Sequence, residues 1–128
     1  MNASSAPNGT EARERAFSAT LEDLGSGRLA ITVTGELDLA TVPLLRERLT
    51  EAANARPEGL VIDLLGVTFI DSVSIASIVS TRRRLPDTRI AVTVEPDSFA
   101  TLIFEVAGLD VIVDVFPSRH EAVAHARS

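Results

Sequence analysis

An apolar run ends abruptly at Asp71-Ser72 in "VTFIDSVSIASIVSTRRRL", residues 67–85, and an apolar-periodic segment begins at once behind the pair. A carboxylate and a hydroxyl at the mouth of a helix support three kinds of chemistry. The Ser72 hydroxyl could cap the helix by accepting an N–H two or three residues on, worth ~1 kcal/mol, with Asp71 just outside suiting the positive helix end. It could be a hydrolase nucleophile, or it could accept a phosphoryl group and act as a switch. The residues argue against the nucleophile. The junction reads I-D-S-V-S rather than G-x-S-x-G, and no second segment looks like an oxyanion loop. The two histidines, His120 and His125, both sit in the terminal segment, so no catalytic residue is assigned. A metal is not expected there either. In "HEAVAH" the histidines are five residues apart, which turns them about 140° away from each other on a helix. Arg82-Arg83-Arg84 reads as a set of cations closing a helix against the negative end of its dipole.

Composition narrows the classes further. The 128 residues are 45% hydrophobic, the scale of one domain with one core. The net charge of −6 argues against nucleic acid, which rewards basic surfaces through counterion release. All 12 basic residues are arginine, and there is no cysteine, which removes disulfides and thiolate metal sites together. With five Phe and no Trp or Tyr, aromatic stacking platforms are missing, and no cofactor is expected. No stretch approaches the ~20 apolar residues that cross a bilayer, so direct membrane insertion is not expected and the simplest setting is the cytoplasm. Residues 1–15, "MNASSAPNGTEARER", have no apolar core region and read as a flexible tail, with the domain over 16–128.

The elements that must position Ser72 are well punctuated. "FSATLEDLGSGRLAITVTGELD" predicts a hairpin around Gly25-Ser26-Gly27, with Leu29, Ile31 and Val33 on one buried face and Gly35 ending the second strand. "LATVPLLRERLTEAANARPEG" predicts a helix capped by Thr41, with Pro43 in its first turn and Leu45, Leu49 and Ala52 inward. "LVIDLLGVTFID" reads as a strand buried on both faces. The helix from Ser72 carries Ile75, Ile78 and Val79 inward and stops before Pro86. A strand over "TRIAVTVEP", a helix over "DSFATLIFEVAG" with Leu102, Ile103 and Val106 inward, a strand over "LDVIVDVFP" and a final helix over "SRHEAVAHARS" follow. Ser118 and Glu121 have capping-box spacing. The order ββαβαβαβα gives a single α/β domain: a mixed sheet with an N-terminal hairpin, right-handed crossovers and about four helices.

"GELDLATVPLLRERL", "VIDLLGVTFIDS" and the late "DSFATLIFEVAGL" together resemble the STAS domains of bacterial anti-sigma-factor antagonists. The resemblance covers most of the chain after the tail. It implies a STAS-like fold and a non-enzymatic, protein-binding switch. In that family the serine directly after the aspartate is phosphorylated by a partner kinase; it corresponds to Ser72, and the aspartate of G-E-L-D corresponds to Asp38. The family usually continues D-S-x-G-L-G, where this chain has Ser74 and Ala76. The partners implied are an anti-sigma factor with a serine-kinase fold and a metal-dependent serine phosphatase. The expected contact surface is Asp38, Asp71, Ser72, Val73, Ser74 and Ile75. Two rival expectations keep the same fold: a docking subunit of a membrane transporter such as a lipid-transport complex, and a small-ligand sensor holding a nucleotide at the Ser72 helix terminus.

Overall fold

Alternating apolar residues pair as the hairpin requires: β1 (Ser18–Gly25) runs antiparallel to β2 (Arg28–Leu37), with Leu21 opposite Ile31. This is a computed structural model that describes residues 16–98 and 113–127, together with Glu105 and Gly108. The turn residues Gly25, Ser26 and Gly27 take φ of 85°, 54° and 79°. The chain continues through α1 (Val42–Ala55), β3 (Gly59–Ile70), α2 (Ser72–Arg84), β4 (Arg89–Thr93), β5 (Asp114–Phe116) and α3 (Arg119–Arg127). Spatial order follows chain order, β1-β2-β3-β4-β5, and every pair after the hairpin is parallel. The mixed sheet is therefore the expected one. The tail over 1–15, most of the helix expected over 97–108 and the first part of the strand expected over 109–117 lie outside the described residues.

The two sheet faces are packed differently. On one, α1 and α2 lay Leu45, Leu49, Ala52 and Ile78 against Ile31, Val33, Leu60, Ile62, Ile90 and Val92. Each fully buried aliphatic side chain there contributes about 1.5–3 kcal/mol. On the other face α3 packs Ala122 and Ala126 against Ala30, Val61 and Ala91, the alternate residues of the same strands. This corrects the expectation of a single buried face on β2. Ala30 is fully buried because a distant helix covers it, and its small side chain lets that helix come close.

Both ends of α3 are tied to the sheet by arginines. Asp63 on β3 is buried, and its Oδ1 accepts from Thr93 Oγ1 at 2.9 Å and from the Leu65 N–H at 3.0 Å. Arg119 donates to Asp63 Oδ2 at 3.1 Å, to Thr32 Oγ1 at 2.9 Å and to Glu22 Oε1 at 2.7 Å. Burial works against the Arg119 charge, but the hydrogen bonds to Asp63 and Glu22 outweigh it and raise the guanidinium pKa above its ordinary value. At the other end Arg28 donates to Ala126 O at 3.1 Å and Arg127 O at 3.0 Å, satisfying last-turn carbonyls. Ser118 Oγ accepts the Glu121 N–H at 3.2 Å, as the capping-box spacing predicts.

The ten residues of β2 run alongside the twelve of β3, with register shifts between Thr32 and Thr34 and between Gly35 and Glu36, so β3 carries two bulges. Gly35 does not end its strand. It lies inside β2 with φ of 96°, and a Cβ there would sit 3.1 Å from the Phe17 backbone. Beyond the bulges Phe69 is exposed and Ile70 buried, and the paired ends Leu37 and Ile70 deliver the chain to one edge of the sheet.

Candidate functional site

Asp38 and Asp71 each follow a paired strand end. Leu37 pairs with Ile70, and the Asp71 N–H donates to Leu37 O at 3.1 Å, so the two aspartates lie on adjacent strand ends. Both helices of the main core layer begin at this edge. Carboxyl ends of parallel strands meeting helix N-termini form a common place for binding in α/β sheets.

The helix cap sits one residue earlier than expected. Asp71, extended at φ −105° and ψ 175°, is the N-cap of α2, and its Oδ1 accepts from the Ser74 N–H at 2.9 Å and the Ser74 hydroxyl at 2.8 Å. Ser72 is the first helical residue, exposed, with no side-chain hydrogen bond among the described residues. The physical reason is reach. A side chain caps from the last non-helical position, and Ser72 is already in the helix. Asp71→Ala should therefore destabilise the domain by about 1–2 kcal/mol, lowering the melting temperature by several degrees. Ser72→Ala should fall within about 0.5 kcal/mol of wild type. Thermal unfolding of the two variants checks the assignment.

Thr41 precedes α1 but makes no side-chain cap bond. Its φ of −108° and ψ of −21° leave the hydroxyl accepting the Asp38 N–H at 3.0 Å and donating to Glu36 O at 2.6 Å. Asp38 shapes the turn instead. Its Oδ1 accepts the Ala40 N–H at 3.0 Å, and its carbonyl accepts from Thr41 and Val42 at 3.1 and 2.8 Å.

The expected contact run divides. Ser72 is exposed and Val73 half-buried, but Ser74 is 0% and Ile75 7% exposed, so these two side chains face the core. At about 100° per residue Ser74 lies roughly 200° around the helix from Ser72, whereas Ile75 is only about 60° from it and is buried by the core cluster it joins. Ser74 points inward and braces Asp71. The described residues include two exposed large hydrophobics, Leu39 at 73% and Phe69 at 40%, and both lie on this edge, beside Asp38 and just before Asp71. The sequence reading missed them. The available signal was an apolar residue inside the turn of G-E-L-D-L-A and a Phe two places before the cap.

The other sequence candidates lie elsewhere. His125 Nε2 is 2.8 Å from Asp114 Oδ2 and its ring centroid lies 5.1 Å from that of Phe116 at a tilt of 41°, while His120 is exposed. No group of three or more metal-ligating side chains occurs among the described residues. Arg82 donates to Leu85 O and Thr88 O, closing α2 as its position predicts, and Arg83 and Arg84 are exposed. No described helix is long and apolar enough to cross a membrane.

The family model for the STAS domain matches residues 20–122. The chain is 28% identical over 102 residues to the anti-sigma-F factor antagonist RsfB of Mycobacterium tuberculosis, a match spanning 80% of this chain and 84% of that one. An anti-sigma factor antagonist from Mycobacterium paratuberculosis superposes with a TM-score of 0.80 at 26% identity, over 88% of this chain and 95% of that one. The anti-sigma factor antagonist SpoIIAA in its unphosphorylated form shares the fold with a TM-score of 0.71 at 20% identity, over 86% and 96% of the two chains. Its phosphorylated form from Bacillus gives 0.65, also at 20% identity, over 84% and 97%. With the bulged strand pair, the capped helix behind Asp71 and these matches in hand, the chain belongs to the STAS domain family, where its relatives are anti-sigma factor antagonists.

Proposed function

We propose that this chain is an anti-sigma factor antagonist that works by partner switching at Ser72. Unphosphorylated, it binds an anti-sigma factor with a serine-kinase fold and frees the sigma factor. The kinase moves the γ-phosphoryl group of ATP onto Ser72 Oγ, the complex separates, and a metal-dependent serine phosphatase restores the hydroxyl. The chain itself supplies the acceptor and the contact surface, and no catalytic group.

One observation carries this reading. An exposed serine hydroxyl without a side-chain partner among the described residues stands at a helix N-terminus, on an edge that also presents exposed Leu39 and Phe69 beside Asp38 and Asp71. Apolar side chains give a partner something to bury, and the carboxylates make added charge costly there. The two recorded forms of SpoIIAA, unphosphorylated and phosphorylated, support a fold that tolerates the modification. The test is affinity capture of the chain from its native host, with mass spectrometry of the captured protein and of the Ser72 peptide. A kinase-fold protein and phosphate on Ser72 are expected. Capture of an ATP-driven transporter instead, or phosphate confined to another residue, would overturn the proposal.

A further inference from the structure

Along the face of α2 beyond Ser72 and Val73, a groove of about 280 Å³ opens between α1 and α2. Its charged lining residues are Arg46 of α1 and Arg84 of α2, with hydroxyls from Thr50, Ser77 and Ser80 between them. Neither arginine makes an ion pair among the described residues. Arg48 and Arg119, by contrast, hold carboxylates. Arg46 is also fixed in place. Its Nε donates to Ser77 Oγ at 3.1 Å, and Ser77 Oγ donates to Val73 O at 3.2 Å. The two terminal amino groups of Arg46 have no acceptor among the described residues, on a guanidinium whose orientation is already set.

We propose that this groove is a docking site for an acidic peptide segment of a partner protein, whose Asp or Glu carboxylates pair with Arg46 and Arg84. A pre-oriented guanidinium fork suits a carboxylate, because little side-chain freedom is lost on binding. The overall negative charge repels a long polyanion such as nucleic acid, while two cations with hydroxyls between them match a short acidic stretch. The groove adjoins the Ser72 edge through Ala76 and Ser77, one turn farther along α2, so one partner can span both. The inference stands whether or not Ser72 is phosphorylated, since it rests on the arginines alone.

Titrating the isotope-labelled full-length chain with a hexaglutamate peptide, followed by backbone amide NMR, tests it. Saturable shifts at Thr50, Ser77 and Ser80 are expected. Arg46→Gln combined with Arg84→Gln should weaken binding by about fivefold or more, whereas Arg83→Gln combined with Arg89→Gln should change it less than about twofold. Ser77→Ala keeps both charges but releases Arg46, and should weaken binding about twofold or more. Equal losses from the two double variants would reduce the effect to general charge attraction and overturn the proposal. So would saturable shifts with inorganic phosphate but not with peptide, or no shifts at these residues with either. Wild-type affinity in Ser77→Ala would refute the positioning of Arg46.

Discussion

Ser72→Asp is expected to bind the proposed anti-sigma partner about tenfold more weakly than wild type, or worse, while melting within a few degrees of it. The fold should be indifferent because a helix N-terminus welcomes a carboxylate, by about 0.3–1 kcal/mol. The complex should not be indifferent. Asp71 precedes the new charge directly, and Asp38 stands on the neighbouring strand end. Unit charges ~6 Å apart at an effective dielectric of ~20 repel by roughly 3 kcal/mol, and in the free protein water and salt relieve most of this. A partner seated on Leu39 and Phe69 excludes that water, and retaining even half of the repulsion shifts affinity about tenfold. Calorimetric titration of both forms with the purified partner gives the comparison, and equal affinities would take Ser72 out of the interface. Ser72→Ala should bind as wild type does and resist phosphorylation. Ser74 and Ser77 are 0% and 8% exposed, so phosphate appearing on either in that variant would mean that the helix opens to the kinase.

What the sequence made legible was local. F-I-D-S marked a strand running into a helix, the spacing of Leu45, Leu49 and Ala52 marked the buried stripe of α1, and the glycines around Ser26 marked the hairpin turn; all three stand in the structure. What escaped depended on partners distant in sequence or on one-residue geometry. Ala30 reads as an outward residue of an alternating strand until α3, some ninety positions on, covers it. Asp63, inside an apolar run, carries no local sign that Thr93 and Arg119 will satisfy it. The cap moved from Ser72 to Asp71 because either residue type can cap, and only the backbone angles decide which stands at the last non-helical position. The inward turn of Ser74 was different: helical geometry alone implies it once the helix start is known, whereas the burial of Ile75 depends on the core it packs into.

Asp38→Asn should weaken partner binding by about fivefold to tenfold and leave stability nearly unchanged. Asparagine keeps a side-chain oxygen for the Ala40 N–H, so the turn into α1 survives and only the charge is lost. If Asp38 serves the turn alone, that variant binds as wild type does. If it shares one surface with Asp71 and Ser72, the lost charge removes attraction to Arg or Lys on the kinase-fold partner. The association rate should then fall, and its dependence on salt should become shallower than in wild type. Arg83→Ala supplies the comparison. Arg83 is exposed in the last turn of α2, and at 1.5 Å of rise per residue it lies roughly 16 Å along the helix from Ser72. Only the Asp38 variant should disturb the complex. Normal binding by both variants, or failure of Arg83→Ala alone, would place the interface away from this edge and remove Asp38 from it.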